Sequence, residues 1–169
     1  RPIDLALDPS SPRLFAITTP ASDVIVIDRA KPDAPALSAR WPLSERAPAA
    51  TALDHANNRL VVATRSPSRL IVLDAASGRE VAKLDAPDDP GSISYDPFLR
   101  KVYLAGNRGQ VRVYQQLTPD SYQPLATETT APGARTSLLI PEHRRLIIAA
   151  PSLGANDEKA RLFIYQIGP

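Results

Sequence analysis

A short pattern of residues occurs four times along this chain of 169 residues. In each copy a first segment ends at an Asp or a Pro, a second begins with Arg or Lys, and a third consists mostly of β-branched and aromatic residues. The first segments end at Asp8, Asp54, Asp96 and Pro141. The second segments read RLFAI from Arg13, RLVVA from Arg59, KVYLA from Lys101 and RLIIA from Arg145. The third segments read VIVID from Val24, LIVLD from Leu70, VRVYQ from Val111 and LFIYQ from Leu162. The three aspartates lie 46 and 42 residues apart. A period of roughly 40–45 residues is typical of the four-stranded blade of a β-propeller.

The apolar segments are too short for helices and lie between turn residues, so they predict β-strands. Because consecutive positions are apolar, both faces of each strand should be buried, as in blades stacked between other blades. The turn residues Asp74 to Gly78 are suited to join a third strand to a fourth, and the fourth strands are predicted at Leu37–Trp41, Glu80–Leu84 and Tyr122–Thr127, with none in the last copy. We therefore expect an all-β fold of four antiparallel blades, approximately 1–46, 47–88, 89–133 and 134–169, in which the last blade lacks its outer strand.

Composition excludes several classes of function. There is no cysteine, which excludes disulfides, zinc–thiolate sites and cysteine nucleophiles. The formal net charge of +2 is too small to indicate a nucleic-acid partner. No apolar run approaches the roughly 20 residues of a membrane-spanning helix. We expect no cofactor, no nucleic acid and no membrane insertion.

Two stretches carry a family likeness: LALDPSSPRLFAITTPASDVIVID from Leu5, and TALDHANNRLVVATRSPSRLIVLDAASGREVAKL from Thr51. They resemble the bacterial YVTN-type propeller repeat of surface-layer and periplasmic proteins. The Tyr-Val-Thr-Asn strand itself is spelled only approximately, as VYLAGN from Val102. The resemblance implies a ring of about seven blades, of which this chain would form part, and a periplasmic or extracellular location.

The groups that could perform catalysis have a simpler structural interpretation. His55 and His143 are the only histidines, and both fall in turns between first and second strands. The acidic pairs Asp88–Asp89 and Asp157–Glu158 lack the alternating ligand spacing of a calcium loop, so solvated loop charges are the better interpretation. An aspartate that recurs once per blade is expected to cap its turn through backbone hydrogen bonds.

Two sets of residues are candidates for ligand binding. Arg112 stands where the other copies have Ile25, Ile71 and Phe163, so it should lie between blades, either with its guanidinium in water or bound to an ion-pair partner or ligand. The second set lies on the loops that join second to third strands and fourth to first strands, which emerge on one side of a propeller. It consists of Arg46, Arg65, Arg69, Asn107, Arg108 and Arg135. The expanded loop Pro151–Ala160 lies on the same side.

Five arginines on one set of loops would suit a carboxylate, a phosphate or an acidic protein surface, although ordinary solvated charge is the alternative. The first functional hypothesis is a non-enzymatic binding or scaffolding module that recognises a protein or a small anionic ligand through these loops. The alternative is a fragment of a propeller enzyme, a lactonase-like hydrolase or an oxidoreductase, as the resemblance allows. A complete four-bladed ring is a third possibility. The expected partner is another protein, the remainder of the same ring or a second copy of the chain.

Overall fold

The computed structural model of the protein describes residues 1–152 and 159–168. The strands form four antiparallel sheets in sequential order, here named blades 1 to 4. Blade 1 contains β1 (Pro2–Leu7), β2 (Arg13–Thr18), β3 (Asp23–Asp28) and β4 (Ala36–Pro42), and blade 2 contains β5 (Arg46–Asp54), β6 (Arg59–Ser66), β7 (Ser68–Asp74) and β8 (Glu80–Asp85). Blade 3 contains β9 (Pro90–Asp96), β10 (Lys101–Gly106), β11 (Gln110–Thr118) and β12 (Ser121–Thr129), and blade 4 contains β13 (Thr136–Ile140), β14 (Arg145–Ala150) and β15 (Arg161–Gln166).

The predicted all-β fold is confirmed, including the fourth strands of blades 1 to 3. Each blade is an up-and-down sheet whose strands pair in chain order, and the described residues of blade 4 form three strands. The helical content of the described chain is a single 3₁₀ turn, Pro141–His143. None of its helices is long and apolar enough to cross a membrane.

Successive blades stack through layers of buried aliphatic and aromatic side chains, which explains why the strands are apolar on both faces. Between blades 1 and 2, Phe15 and Ile17 pack with Leu60 and Ile71, and all four side chains are completely buried. Comparable layers lie between blades 2 and 3 and between blades 3 and 4. Burial of this kind stabilises the stack by roughly 1.5–3 kcal/mol per large aliphatic side chain.

The recurring aspartates cap the turns between first and second strands, as the sequence predicts. Their carboxylates accept hydrogen bonds from backbone N–H groups two or three residues ahead. The bonds run from Ser10 N to Asp8 Oδ1 (2.9 Å), from Asn57 N to Asp54 Oδ1 (3.2 Å) and from Phe98 N to Asp96 Oδ1 (2.9 Å). In blade 4 the corresponding residue is Pro141, and the turn is the 3₁₀ turn without a side-chain cap.

A cation begins the second strand of each blade, and in blades 1 to 3 it joins that blade to the next one. Arg13 of blade 1 donates from Nη1 to the Ala75 carbonyl of blade 2 at 2.5 Å. Arg59 of blade 2 donates from Nε to Asp120 Oδ1 of blade 3 at 2.7 Å. These bonds fix the relative position of neighbouring sheets beyond what apolar packing provides.

The series continues in blade 3, where Lys101 Nζ donates to the Gly168 carbonyl of blade 4 at 2.6 Å. Arg145 is the equivalent residue of blade 4, and its Nη1 donates within its own blade, to the neighbouring Arg144 carbonyl at 3.3 Å. No following blade faces Arg145 within the part of the chain that the structure describes.

The two ends of the stack expose apolar side chains. On blade 1, Leu5 and Leu7 are 55% and 56% exposed, and on blade 4, Leu162 and Ile164 are 67% and 62% exposed. The equivalent faces of blades 2 and 3 are covered by their neighbours. The arrangement is consistent with part of a propeller ring.

Candidate ligand-binding surfaces

The loop residues singled out from the sequence lie at strand ends on one side of the stack, here called the loop face. Arg65 is the penultimate residue of β6, and Asn107 follows β10. Both reach the same carboxylate, because Arg65 Nε lies 2.8 Å from Asp89 Oδ1 and Asn107 Nδ2 donates to Asp89 Oδ2 at 2.8 Å. Arg65 Nε also donates to the Pro90 carbonyl at 3.0 Å. These residues join blade 2 to blade 3, and Asp89 neutralises the charge of Arg65.

Two further loop-face arginines have partners within the chain. Arg69 Nη1 lies 2.5 Å from Asp85 Oδ1. Arg108 Nε lies 3.6 Å from Asp88 Oδ2, and both of these side chains are largely exposed. Asp85, Asp88 and Asp89 thus neutralise three of the five predicted loop arginines.

Arg46 and Arg135 are the loop-face arginines without a carboxylate among the residues that the structure describes. Arg46 begins β5, Arg135 precedes β13, and both are exposed. Gly91 makes room for Arg135, because a Cβ at position 91 would lie 2.7 Å from Arg135 Cβ. The first strand of blade 3 therefore needs glycine here to let the stem of Arg135 pass close to its backbone.

Arg112 lies between blades 2 and 3, as its place in the repeat predicts. Its Nη1 donates to the Asp85 backbone carbonyl at 3.3 Å, and its Nε to Thr127 Oγ1 at 3.4 Å. Both bonds are long, and neither acceptor is a carboxylate. The backbone carbonyl of Asp85 therefore lies near the guanidinium, and Arg112 forms no ion pair with a described residue.

The Arg112 side chain lines a groove of about 650 Å³ between the outer strands β8 and β12, here called the side groove. A volume of this size falls in the range of small-molecule sites, roughly 300–1,000 Å³. The groove is lined by Arg69, Lys83, Leu84, Asp85, Arg112, Pro124, Leu125, Ala126 and Thr127.

Substitutions within the repeat account for the side groove, by comparison with the equivalent place between blades 1 and 2. There Trp41 pairs with Val24 and packs near Ile71, with its ring over Gly78, where a Cβ would overlap it. One blade further along, the smaller Leu84 takes the place of Trp41, and Arg112 takes the place of Ile71. Leu84 is smaller than Trp, and Arg112 is polar, so together they leave the side groove unfilled.

Most charges around the side groove are already balanced. Lys83 Nζ lies 2.9 Å from Glu45 Oε1 and 3.4 Å from Glu80 Oε1, and the Asp85 carboxylate is bound to Arg69. This leaves Arg112 as the cation of the lining that has no carboxylate among the described residues.

Tyr114 shares a hydrogen-bond acceptor with Arg112. Its hydroxyl donates to the same Asp85 carbonyl at 2.7 Å. Burial raises the pKa of Tyr114 to about 12, so the phenol remains a neutral donor at physiological pH. The carbonyl is thus held mainly by Tyr114, and the guanidinium of Arg112 is left with donors to spare, since it carries five N–H groups.

The other predicted groups do not assemble into a site. His55 and His143 are exposed in the turns of two different blades. Among the described residues, no group of three His, Asp or Glu side chains could hold a metal ion. Asp157 and Glu158, with the middle of the Pro151–Ala160 loop, lie outside the described residues.

Sequence reasoning missed the roles of Lys83, Asp85 and Leu84 around Arg112. Lys83 and Leu84 were visible only as members of a fourth strand. The pairing of β7 with β8 places Leu84 opposite Leu70, in register with Trp41 of blade 1. A comparison of the fourth strands of the repeat could have revealed the change from Trp to Leu.

The four antiparallel sheets, stacked in chain order, define a fold of the β-propeller type. No protein-family model matches it, and no curated protein sequence matches it. Among solved structures, it is similar to a chain of Kuenenia stuttgartiensis hydrazine synthase, with a TM-score of 0.83 and 16% identity, over 98% of this chain and 46% of that one. It is also similar to a chain of the mitotic checkpoint complex, with a TM-score of 0.79 and 15% identity, over 98% of this chain and 50% of that one.

Both neighbours are propeller proteins. At these identities the likeness shows the fold alone. The chain spans about half the length of the chains it matches.

Proposed function

We propose that this chain is a non-enzymatic binding or scaffolding module, or a part of one, that holds an anionic partner on its loop face. The partner is an acidic protein surface or a small anion, and Arg46 and Arg135 are the residues that engage it. The resemblance to YVTN-type repeats supports a periplasmic or extracellular location for this activity and nothing more specific.

The observation that carries the proposal is the uneven neutralisation of the loop face. Arg65, Arg69 and Arg108 are matched by Asp89, Asp85 and Asp88, whereas Arg46 and Arg135 are not matched by any described carboxylate. A fully self-neutralised surface would attract no anion. Two exposed cations on a rigid scaffold provide donors that an incoming carboxylate or phosphate can bind without first breaking an ion pair.

The scaffold supports recognition because the loops are short and their ends are fixed by strands. Arg46 and Arg135 belong to blades 2 and 4, with the first strand of blade 3 between them. The two cations are therefore held apart by a packed sheet, and a ligand that engages both must itself be extended or carry several anionic groups. This favours a macromolecular surface over a single carboxylate.

The proposal is tested by titrating the protein with fluorescein-labelled decaglutamate and, separately, with inorganic phosphate. Exposed ion pairs contribute roughly 0.2–1 kcal/mol each, so Arg46→Gln combined with Arg135→Gln should weaken decaglutamate binding by about two- to thirtyfold. The matched control pairs Arg79→Gln with Arg29→Gln. It removes the same charge from the turns between third and fourth strands, on the opposite side of the blades.

Binding should also weaken as NaCl is raised from 50 to 300 mM, because exposed charges are screened. Equal weakening by the two double variants would show that net charge, and not the loop face, governs binding. Phosphate binding as tight as decaglutamate binding would indicate a small-anion site.

A further inference from the structure

The side groove between blades 2 and 3 is a second surface of the molecule, separate from Arg46 and Arg135. It lies between two strand edges, since among the described strands β8 pairs with β7 alone and β12 with β11 alone. Its walls are consecutive residues of these strands, 83–85 on one side and 124–127 on the other. The groove is therefore elongated along the strands.

Its lining combines apolar surface with one unbalanced positive charge. Leu84, Pro124, Leu125 and Ala126 provide the apolar part, and Leu125 is 51% exposed. Leu125 has no partner in the β11–β12 pairing, because the register shifts at this point. Pro124 pairs with Tyr114 and Ala126 with Val113, so Leu125 lies at an irregularity of the sheet. An irregularity of this kind changes the direction of the local side chain.

Arg112 provides the unbalanced charge. An arginine in place of the Ile or Phe of the other blades loses apolar packing, and the hydrogen bonds that it makes to Asp85 and Thr127 are both long. Its remaining N–H donors match the two oxygens of a carboxylate in fork geometry. The complementary ligand therefore has a carboxylate next to an apolar side chain.

An extended polypeptide fits these features better than a compact metabolite. A peptide in β conformation advances about 3.3 Å per residue, so it can place an acidic side chain on Arg112 and an apolar one on Leu84 or Leu125. The unpaired edges of β8 and β12 also offer backbone groups along the way.

We propose that the side groove binds an extended segment of a partner protein in which an acidic residue stands beside an apolar one, with the carboxylate held by Arg112. This site does not depend on the loop-face proposal, because it uses neither Arg46 nor Arg135.

The experiment measures fluorescence anisotropy of the intact protein with two labelled, terminally blocked hexapeptides, one alternating leucine with glutamate and the other alternating leucine with glutamine. The glutamate peptide should bind at least tenfold more tightly. Arg112→Gln should weaken it by about ten- to a hundredfold, the range for a charge-assisted hydrogen bond. Arg112→Lys should recover only part of the affinity, because an ammonium group lacks the fork geometry.

The controls separate this site from general electrostatics. Arg79→Gln, which removes one exposed charge elsewhere, should leave the affinity within twofold of the wild type. Arg46→Gln with Arg135→Gln should do the same, whatever its effect on decaglutamate. Circular dichroism and urea denaturation of each variant verify that the fold is retained.

Three outcomes would overturn the proposal. The first is equal affinity of the two peptides, or no binding of either below 1 mM, on the order of the weakest specific complexes. The second is unchanged glutamate-peptide binding by a folded Arg112→Gln variant. The third is displacement of the peptide by glutarate at an equal concentration, which would assign the groove to a small carboxylate.

Discussion

Replacing Arg59 by alanine tests whether the cations at the start of the second strands hold neighbouring blades together. The side chain is 13% exposed. Its Nη1 donates to Asp74 Oδ2 at 2.9 Å within blade 2, and its Nε to Asp120 Oδ1 at 2.7 Å across to blade 3. The substitution removes both ion pairs at once and leaves two carboxylates without their cation.

The two ion pairs should not contribute equally. Asp74 is 21% exposed, so its bond to Arg59 is only partly screened, and a hydrogen bond to a charged group contributes roughly 1.5–3 kcal/mol. Asp120 is 51% exposed and is rehydrated when Arg59 is lost, so its pair should contribute roughly 0.2–1 kcal/mol. We expect Arg59→Ala to lower the free energy of unfolding by about 2–3 kcal/mol and Asp120→Asn to lower it by less than about 1 kcal/mol.

Arg145→Ala is the matched control, because Arg145 holds the same place in blade 4 but its side chain bonds, among the described residues, to the neighbouring Arg144 carbonyl. Its loss should change the free energy of unfolding by less than about 0.5 kcal/mol. Urea denaturation followed by tyrosine and tryptophan fluorescence provides the measurement for all three variants. Equal destabilisation by Arg59→Ala and Arg145→Ala would show that the cation acts within its own blade, and the account of links between blades would be wrong.

Two other predictions concern the core and the turns. Leu60→Ala removes three fully buried carbon atoms at about 0.8 kcal/mol each and leaves a cavity, so it should lower the free energy of unfolding by about 3 kcal/mol. Leu162 is 67% exposed in this chain, so Leu162→Ala should lower it by less than about 1 kcal/mol. Similar urea midpoints for the two variants would contradict the assigned burial. Burial alone would raise the pKa of Asp8, but hydrogen bonds from neighbouring serines and an arginine outweigh it and hold that pKa well below the ordinary 3.8, and the pKa of Asp74 is lowered chiefly by the Ser77 hydroxyl. Because both folded-state pKa values are depressed, the two carboxylates contribute to stability above about pH 4, and this contribution is lost as the pH falls further. The urea midpoint should therefore drop between pH 4 and pH 2, and it should drop less steeply in Asp8→Asn. An Asp8→Asn variant with the same acid profile as the wild type would refute the assignment.

The repeat in the sequence was sufficient to predict the blades. Apolar residues at consecutive positions require cover on both faces, and a recurring aspartate at a strand end has a backbone-capping geometry that depends on only three or four neighbouring residues. Asp8, Asp54 and Asp96 therefore behave as predicted, as do the fourth strands, because these features depend on local sequence and on the period. The position of Arg112 between blades follows from the same register.

Which charges remain available to a ligand was decided only by the tertiary structure. Arg65 and Asp89 are 24 positions apart, and Asn107 is 18 positions further on, yet all three meet where blades 2 and 3 adjoin. The sequence shows a set of loop arginines but not which of them lie within 4 Å of an aspartate, because ion-pair distances depend on how the sheets are rotated against each other. For the same reason the repeat shows that Leu84 replaces Trp41 and Arg112 replaces Ile71, but it does not show the side groove, which results from the fit between one sheet and the next. Local periodicity determines the blades, and the packing between them determines where a partner can bind.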